Sequence, residues 1–576
     1  MNAASKLKSA PDSVQLSPQK STALSHEARR ELIDALGARF VSDDPAVIAS
    51  HSWAFLTGDT QMGQPRPVAV TLPSTTKEVQ AIVRTCLRHG LNFRAHSTGT
   101  ASFHRVSREG VVAIDLRRMN RIVDLDAANQ MAVIEPYVTA QQLMAESLKV
   151  GLVPHVIGAG WTHSPLASAT SLGGIGITGN HTGYNVRNLL SWEWVTPEGE
   201  IVRGGSSGAD AGWHAGEGPG PGFRGMLRGA VGAAGGLGVF TRIGYKLHPW
   251  AGPGRLEHVG AHPQYGIKLS DTMRLYQPAW DSWEQTTAAT YDLLKSNAAQ
   301  YVTRLPPDQL GWSFAATNQE FCEQFHAGTL PAVARNENRI SWTLIALSES
   351  IAEAEWRERV IRSIVEKTGG RFVTLTDEEA GLIARNSITS CYSPRAFRSG
   401  PRQVSSSAGG YESFSRLPDM VATGQRIMAP YKDKYKTFAA GSPEEFWIWP
   451  SEGRHLWGEN IVSTDNETVE SAADAMSFMI QTMEDNDRKP IGFAAFALGN
   501  LLVDIYGAKD GANHIMRRIK SLLDPHCAAD GLHPSGKVTA LSKIWPIARI
   551  MFRLSPALLR RVMRKQLRGG STGKPT

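Results

Sequence analysis

Covalent and metal frameworks have little to work with in this chain of 576 residues. Its four cysteines, Cys86, Cys322, Cys391 and Cys527, stand far apart with no C-x-x-C pair, which argues against a disulfide scaffold or zinc cluster and fits a reducing compartment. Long apolar runs are also missing. The longest, Ile491 to Val503, contains Asn500 and stops at Asp504, well short of the ~20 residues that a spanning helix needs. Residues 1–24, rich in Ser, Lys, Ala and Pro, have no apolar block, so they read as a mobile tail rather than a secretory signal. No basic patch with interleaved aromatics occurs, and nucleic acid is not an expected partner.

What is present suits a large globular protein. Hydrophobic residues make up 41% and charged residues 20%, and the length implies two or more domains. The net charge of +7 is concentrated: Ile544 to Arg568 carries Arg549, Arg553, Arg560, Arg561, Arg564, Lys565 and Arg568 and no acid, so the remainder is about neutral. Ile547, Met551, Leu554, Leu558 and Val562 recur there at three and four positions, the pattern of an amphipathic helix. Two readings stay open for residues 544–568: docking on an anionic membrane surface, or packing on the chain's own domain with a solvated basic face.

Short strands and helices alternate from Pro67 to Pro249. Pro67 to Leu72 predicts a strand, Lys77 to His89 a helix ending at Gly90, and Leu91 to Ala95 a strand entering a loop. Val111 to Leu116 and Met131 to Glu135 predict strands separated by a polar stretch around Asp124-Leu125-Asp126; Gln141 to Lys149 predicts a helix, Trp192 to Arg203 a hairpin and Val239 to His248 a strand. From about Ala251 to Trp447, glycine loops thin out and helical periods such as Ser348 to Lys367 lengthen, which suggests a separate domain.

Three segments of Gly and small hydroxyl residues can expose backbone N–H groups to a phosphate or planar cofactor: His96 to Ser102, Thr170 to Gly183 and Gly229 to Thr241. The second contains Gly174-Ile175-Gly176-Ile177-Thr178-Gly179, a literal G-x-G-x-x-G. A dinucleotide fingerprint of that kind must follow a buried strand and open a helix, and neither flank fits here.

The order of these segments resembles the FAD-binding domain shared by vanillyl-alcohol oxidase, 4-cresol dehydrogenase and the glycolate oxidase flavin subunits. The likeness rests on Pro67-Val68-Ala69-Val70-Thr71-Leu72-Pro73-Ser74, Val111 to Leu116 with Met119-Asn120-Arg121-Ile122, Ala169-Thr170-Ser171-Leu172-Gly173-Gly174 with Gly179-Asn180, Pro197-Glu198-Gly199-Glu200, Gly235 to Thr241, and Asp524-Pro525 with Gly531 to Lys537. It implies an α+β fold: a two-part PCMH-type FAD-binding domain, built from both chain ends, with an inserted α+β cap domain for the substrate. The expected layout is a tail over 1–25, the FAD-binding part over 26–250, the cap over 251–489, a return to the FAD domain over 490–543, and the basic helix and tail over 544–576.

By the same resemblance, His96, Ser97, Thr98, Gly99, Thr100, Ala101 and Ser102 surround the FAD pyrophosphate, held by backbone amides. Thr170, Ser171, Gly173, Gly174, Gly179 and Asn180 lie along the ribityl chain and ring, with Gly236, Gly238, Val239, Thr241 and Lys537 completing the expected cofactor contacts. His455, within Trp449 to Trp457, occupies the place of the family's flavin-bonded histidine; a covalent bond and simple packing beside the cofactor are both open. Tyr184 and His181 are the candidate catalytic residues. Phenol-oxidising relatives carry a carboxylate where this chain has Ser171, and a Tyr-Arg pair where it has Gly492 to Phe496, so phenolate-binding machinery is not expected. No H-x-x-G-D-G-N-x-H cluster is present, so no metal is expected.

The expected activity is hydride transfer from an alcohol, benzylic or allylic carbon of a small organic substrate to flavin N5. Oxygen, a quinone or a protein stay open as electron acceptor, as does homo-oligomerisation. The alternatives are a transferase resembling alkylglycerone-phosphate synthase at a membrane surface, a D-2-hydroxy acid dehydrogenase, and a non-catalytic surface-binding protein. The expected location is cytoplasmic, peripheral on the inner membrane face if residues 544–568 dock there.

Overall fold

The structure, a computed structural model, describes residues 20–52, 65–98, 106–158, 160–171, 174–209, 212–213, 236–261, 264–390, 402–428, 446–452, 454–465 and 511–531, with positions 547, 550, 557, 558 and 561. It is α+β, as the alternation of short apolar strands and amphipathic helices implies.

Helix α1 (His26–Leu36) begins at Ser25, whose side chain accepts from the Ala28 amide, and ends at Gly37. Ala28, Leu32 and Leu36, about one turn apart, are its buried stripe, in a core shared with Val79, Ile82, Val83 and Cys86 of α2 (Thr76–Arg88). The first sheet has the order β1-β2-β4-β3: β1 (Val41–Ser42), β2 (Ala69–Thr71), β3 (Asn92–His96) and β4 (Val111–Asp115). Strands β2, β4 and β3 run parallel, and β4 is buried along its whole length, as its uninterrupted apolar run requires.

The second sheet is antiparallel, in the order β5-β6-β9-β7-β8: β5 (Ile122–Asp126), β6 (Met131–Ile134), β7 (Leu189–Val195), β8 (Ile201–Gly204) and β9 (Val239–Lys246). The polar stretch expected to separate two strands is itself β5. It lies at the sheet edge with Val123 46% exposed, and an edge strand keeps the charges Asp124 and Asp126 that an inner strand cannot hold. Between β6 and β7 lie α3 (Ala140–Ser147), α4 (Pro165–Ser171) and the single turn α5 (Gly179–Thr182).

The middle of the chain supplies an antiparallel sheet in the order β10-β12-β11: β10 (Met273–Tyr276), β11 (Tyr301–Thr303) and β12 (Thr343–Leu347). Helices α6 (Ile351–Lys367) and α7 (Asp377–Thr389) follow, then a sheet in the order β13-β15-β14: β13 (Arg402–Ser413), β14 (Phe446–Ser451) and β15 (His455–Asp465). Both amides of a reciprocal backbone pair between Arg304 and Ile448, at 3.0 and 3.1 Å, join β14 to the end of β11. One apolar core then crosses from the front of the chain (Val153, Val156, Ile177) into this middle part (Tyr301, Ile345, Ile388, Trp447, Trp449).

Helix α8 (Gly511–Leu523) and residues 524–531 return to the first sheet, where Ala529 bridges Phe93 in parallel and Asp530 N donates to Phe93 O at 2.8 Å. Among the described residues no helix is long and apolar enough to cross a membrane. Most of 544–568 lies outside them; Ile547 and Ile550 are 67% and 59% exposed.

Candidate functional site

Strand β3 ends at His96 and delivers the chain into the expected phosphate loop, of which Ser97 and Thr98 are described. Asp530, from the far end of the sequence, clasps that loop on both sides. Its carboxylate is 3.5 Å from Arg94 and 3.4 Å from Arg108, accepts from Ser107 N at 2.8 Å, and takes the Ser107 hydroxyl as well. Thr98 Oγ1 accepts from Ser164 N at 2.6 Å, so the loop is also tied to the start of α4.

The 174–185 segment is held by Asn185, which donates from its backbone to Gly174 O at 2.7 Å and from its side chain to Pro165 O at 3.1 Å, and accepts from the Tyr245 hydroxyl. Gly174 has φ 72, and a Cβ there would run into Asn185; the glycine follows from this crossing of backbones. Helix α5 packs on the β14 end, with Gly179 against Pro450 and Ser451, and Glu452 accepts from Tyr184 N at 3.3 Å and Arg187 Nε at 2.8 Å.

The third glycine segment is anchored from the returning chain. Lys520 Nζ donates to Gly236 O at 2.6 Å and Ala529 O at 2.8 Å, and pairs with Asp524; both side chains are 1% exposed. Asp524 in turn accepts from Ala528 N at 2.8 Å and Ala529 N at 3.0 Å. One short stretch, 520–530, thus fixes the phosphate loop and the Gly236–Gly238 turn together.

Among the described residues, Ser97 Oγ, Thr162 Oγ1 and Asn180 Oδ1 are buried on these segments with no hydrogen-bond partner. Buried polar groups are nearly always satisfied, so a polar ligand running past Ser97, Thr162 and Asn180 is the economical explanation, and a dinucleotide with a diphosphate fits it. Ser97 and Asn180 were expected at the cofactor; Thr162 was not, because nothing in Gly160-Trp161-Thr162-His163 resembles a binding motif.

Other expected residues have different occupations. Thr241 spends its hydroxyl on Glu193 at 3.1 Å, the same carboxylate that binds Thr76 at 2.6 Å and Arg203 at 2.9 Å. Thr170 donates back to Leu166 O at 2.9 Å within α4, and Val239 is buried in the core beside Val195. Gly238, at φ 98, is required by its approach to Val195 O. Gly99, Thr100, Ala101, Ser102, Gly173, Lys537 and the Ser171 side chain lie outside the described residues.

His181 is exposed, its Nε2 3.2 Å from Ala299 O. Burial raises the Tyr184 hydroxyl above its ordinary value, so Tyr184 is a neutral hydroxyl at pH 7 and not a phenolate base. His455 stands exposed where the β14–β15 hairpin turns, with Nδ1 3.1 Å from Glu452 O. His51, His96 and Asp115 come together beside the phosphate loop. His51 Nε2 lies 3.1 Å from Asp115, whose carboxylate also takes Arg117 Nε at 2.6 Å; the pair raises the imidazole and holds the carboxyl below its usual range, so an ion-paired cluster accounts for the contacts.

Residues 67–205 match the family described as FAD binding domain. An uncharacterised FAD-linked oxidoreductase of Mycobacterium tuberculosis is 28% identical over 211 residues, 35% of this chain and 40% of that protein. The match thus spans well under half of that relative's length. Among solved structures, 4-ethylphenol oxidase from Gulosibacter chungangensis superposes with a TM-score of 0.68 at 17% identity, covering 92% of this chain and all of the other. p-Cresol methylhydroxylase with substrate bound superposes with a TM-score of 0.66 at 15% identity, covering 88% and 96%.

Proposed function

Since the chain carries an FAD-binding domain within the PCMH-type flavoprotein fold, we propose that it is an FAD-dependent oxidoreductase that oxidises an alcohol, benzylic or allylic carbon of a small organic substrate. The observation that carries this reading is the set of orphaned polar atoms at Ser97, Thr162 and Asn180, the first of them on the loop that Asp530 of the returning chain clasps. FAD, when bound, supplies a two-electron acceptor. The protein's part would be to hold it: Ser97 and Thr98 would stand at the diphosphate, while the Gly174 and Asn180 segment and the Gly236–Gly238 turn would line the ring.

We place Tyr184 on the substrate side as a neutral hydroxyl that can donate to, or accept from, a substrate oxygen. Residues 251–489 are the part we assign to substrate selection. His455 is the residue at which a bond to the flavin is expected. Its Nδ1–H, donated to Glu452 O, leaves Nε2 as the nucleophilic nitrogen.

Purified protein is expected to be yellow and to bleach anaerobically with at least one member of a panel of benzylic and allylic alcohols. A yellow protein that no alcohol, phenol or hydroxy acid bleaches would remove the oxidoreductase reading. After acid precipitation the colour stays in the pellet if His455 is bonded, and His455→Ala releases it; colour lost to the supernatant from the parent protein shows that the flavin is held without a bond.

A further inference from the structure

A second group of unmet polar atoms lies away from the phosphate loop, on the face that the middle of the chain turns toward α5. Alternation along β11 puts Tyr301 and Thr303 on one side, with Val302 and the Arg304 side chain on the other. Along β14 it puts Trp447, Trp449 and Ser451 on one side, with Ile448 on the other. The clusters follow this division, Tyr301, Trp447 and Trp449 packing with Val156 and Ile177, and Val302 and Ile448 with Trp342. Because Arg304 pairs with Ile448, the same antiparallel register sets Thr303 opposite Trp449 and Tyr301 opposite Ser451. Helix α7 adds Ser387 on the stripe of Ile383, Ala384 and Ile388, and one residue past its end Ser390 Oγ donates to Gly158 O at 3.0 Å, where the Trp449 ring also rests.

On this one face Tyr301 OH, Thr303 Oγ1, Ser387 Oγ, Trp449 Nε1 and Ser451 Oγ are all buried and have no partner, and each residue is at most 3% exposed. Five unmet hydroxyl and indole groups on one apolar face cost too much to be left idle. An indole N–H can only donate, so whatever meets Trp449 presents an acceptor. The neighbouring buried cations are turned elsewhere: Arg304 donates to Arg339 O at 2.9 Å and lies over Trp283, and Arg385 donates to Asn386 Oδ1 at 2.7 Å and lies over Tyr265.

We propose that Tyr301, Thr303, Ser387 and Trp449 are the specificity-determining residues of the substrate site, and that they select an uncharged molecule with an apolar or aromatic body and hydrogen-bond-accepting oxygens remote from the oxidised carbon. The identification of this ligand as the substrate rests on the oxidoreductase reading. Among the described residues a carboxylate or phenolate meets no cation turned toward this face, whereas an ether, carbonyl or neutral hydroxyl meets donors. The oxygen-bearing end meets Trp449 and Tyr301, and the carbinol end faces Tyr184 and Ser451.

The test uses dithionite-reduced holoprotein, in which no oxidation can proceed, and measures dissociation constants by indole fluorescence for three probes: 4-methoxybenzyl alcohol, 4-ethylbenzyl alcohol and 4-(hydroxymethyl)benzoate. The methoxy probe is expected to bind about tenfold tighter than its near-isosteric ethyl analogue, with the anion weakest. Tyr301→Phe, which removes one oxygen and keeps the ring, should lower that preference severalfold, and Tyr301→Phe with Trp449→Phe should abolish it. Should the double variant lose its flavin, the single one carries the test. Equal affinities for the two neutral probes, tightest binding of the anion, no binding of any probe, or an unchanged preference in Tyr301→Phe overturns the assignment. Selective binding by a protein that no alcohol bleaches upholds the site and removes the oxidoreductase reading; bleaching without selectivity does the reverse.

Discussion

Lys520→Met is expected to cost about 3–5 kcal/mol of stability, because it strands a buried carboxylate. The ammonium and Asp524 are each 1% exposed, and Lys520 also satisfies the carbonyls of Gly236 and Ala529. A methionine fills most of the volume but meets none of these acceptors, and Asp524 keeps a charge with no counter-ion. At about 2 cal/mol/K per residue the unfolding entropy of a chain of this size is about 1.2 kcal/mol/K, so each kcal/mol moves the melting temperature by only about 1 °C, and a fall of about 3–4 °C is the expected reading of a thermal scan. The loss reaches the cofactor as well, since the same stretch fixes the Gly236 turn and, through Asp530, both sides of the phosphate loop. FAD content should therefore drop with stability. Adding Asp524→Asn removes the stranded charge while keeping an acceptor for Ala528 N, and should recover about half of the loss. A Lys520→Met protein within about 1 kcal/mol of the parent, with full flavin, would show that residues 520–530 do not hold the front of the molecule together.

The second large effect is acid lability. Burial pushes His155 down to about 3 and His96 and His248 each down to about 4, all well below the ordinary histidine value. Each is neutral in the folded protein through the range where the unfolded chain has already taken up its proton. The stability they allow is therefore full above about pH 6.5 and falls as pH drops toward 4, each contributing a slope of up to about 1.4 kcal/mol per pH unit. Together that is at most about 4 kcal/mol per unit. His51 acts in the opposite sense: Asp115 raises it, so its contribution is present below about pH 6.5 and fades as pH climbs through the raised value, but one histidine does not offset three. Urea midpoints measured from pH 7.5 to 4.5 should fall steeply below 6.5. His155→Gln, which can still donate to the Thr182 hydroxyl that His155 meets at 2.7 Å, should flatten that fall by about a third. Midpoints that stay level down to pH 5 would contradict the buried neutral assignments.

Much of the front of the fold was legible because its signals are local. Helix α2 stops just before Gly90, where the pattern ends it, and β4 and the β7–β8 hairpin follow their apolar runs. β5 was read as a polar gap because an edge strand needs only one half-buried face, and Asp124-Leu125-Asp126 has no apolar alternation to show. The glycine loops were legible as close-approach backbone, but the cause at Gly174 and Gly238 is Asn185 and Val195 of the chain itself, which glycine spacing alone cannot separate from a ligand. Asp530 and Lys520 act across hundreds of residues, and Tyr301, Thr303, Ser387 and Trp449 become a set only when β11 and β14 fall into register. Nothing in the composition of those segments announces it. The commitment of Thr241 to Glu193 was equally hidden, since Thr76, Arg203 and Thr241 meet that carboxylate from three separate elements.

The central claim is that segments from the front and the rear of the chain hold one FAD by its diphosphate as well as its ring. Titrating flavin-stripped protein with FAD and with FMN, following the quenching of flavin fluorescence, addresses it most directly. One equivalent of FAD should bind, and FMN, which lacks the diphosphate bridge and the adenosine half, should bind at least a hundredfold more weakly. Equal affinity for the two, or no binding of either, would contradict it.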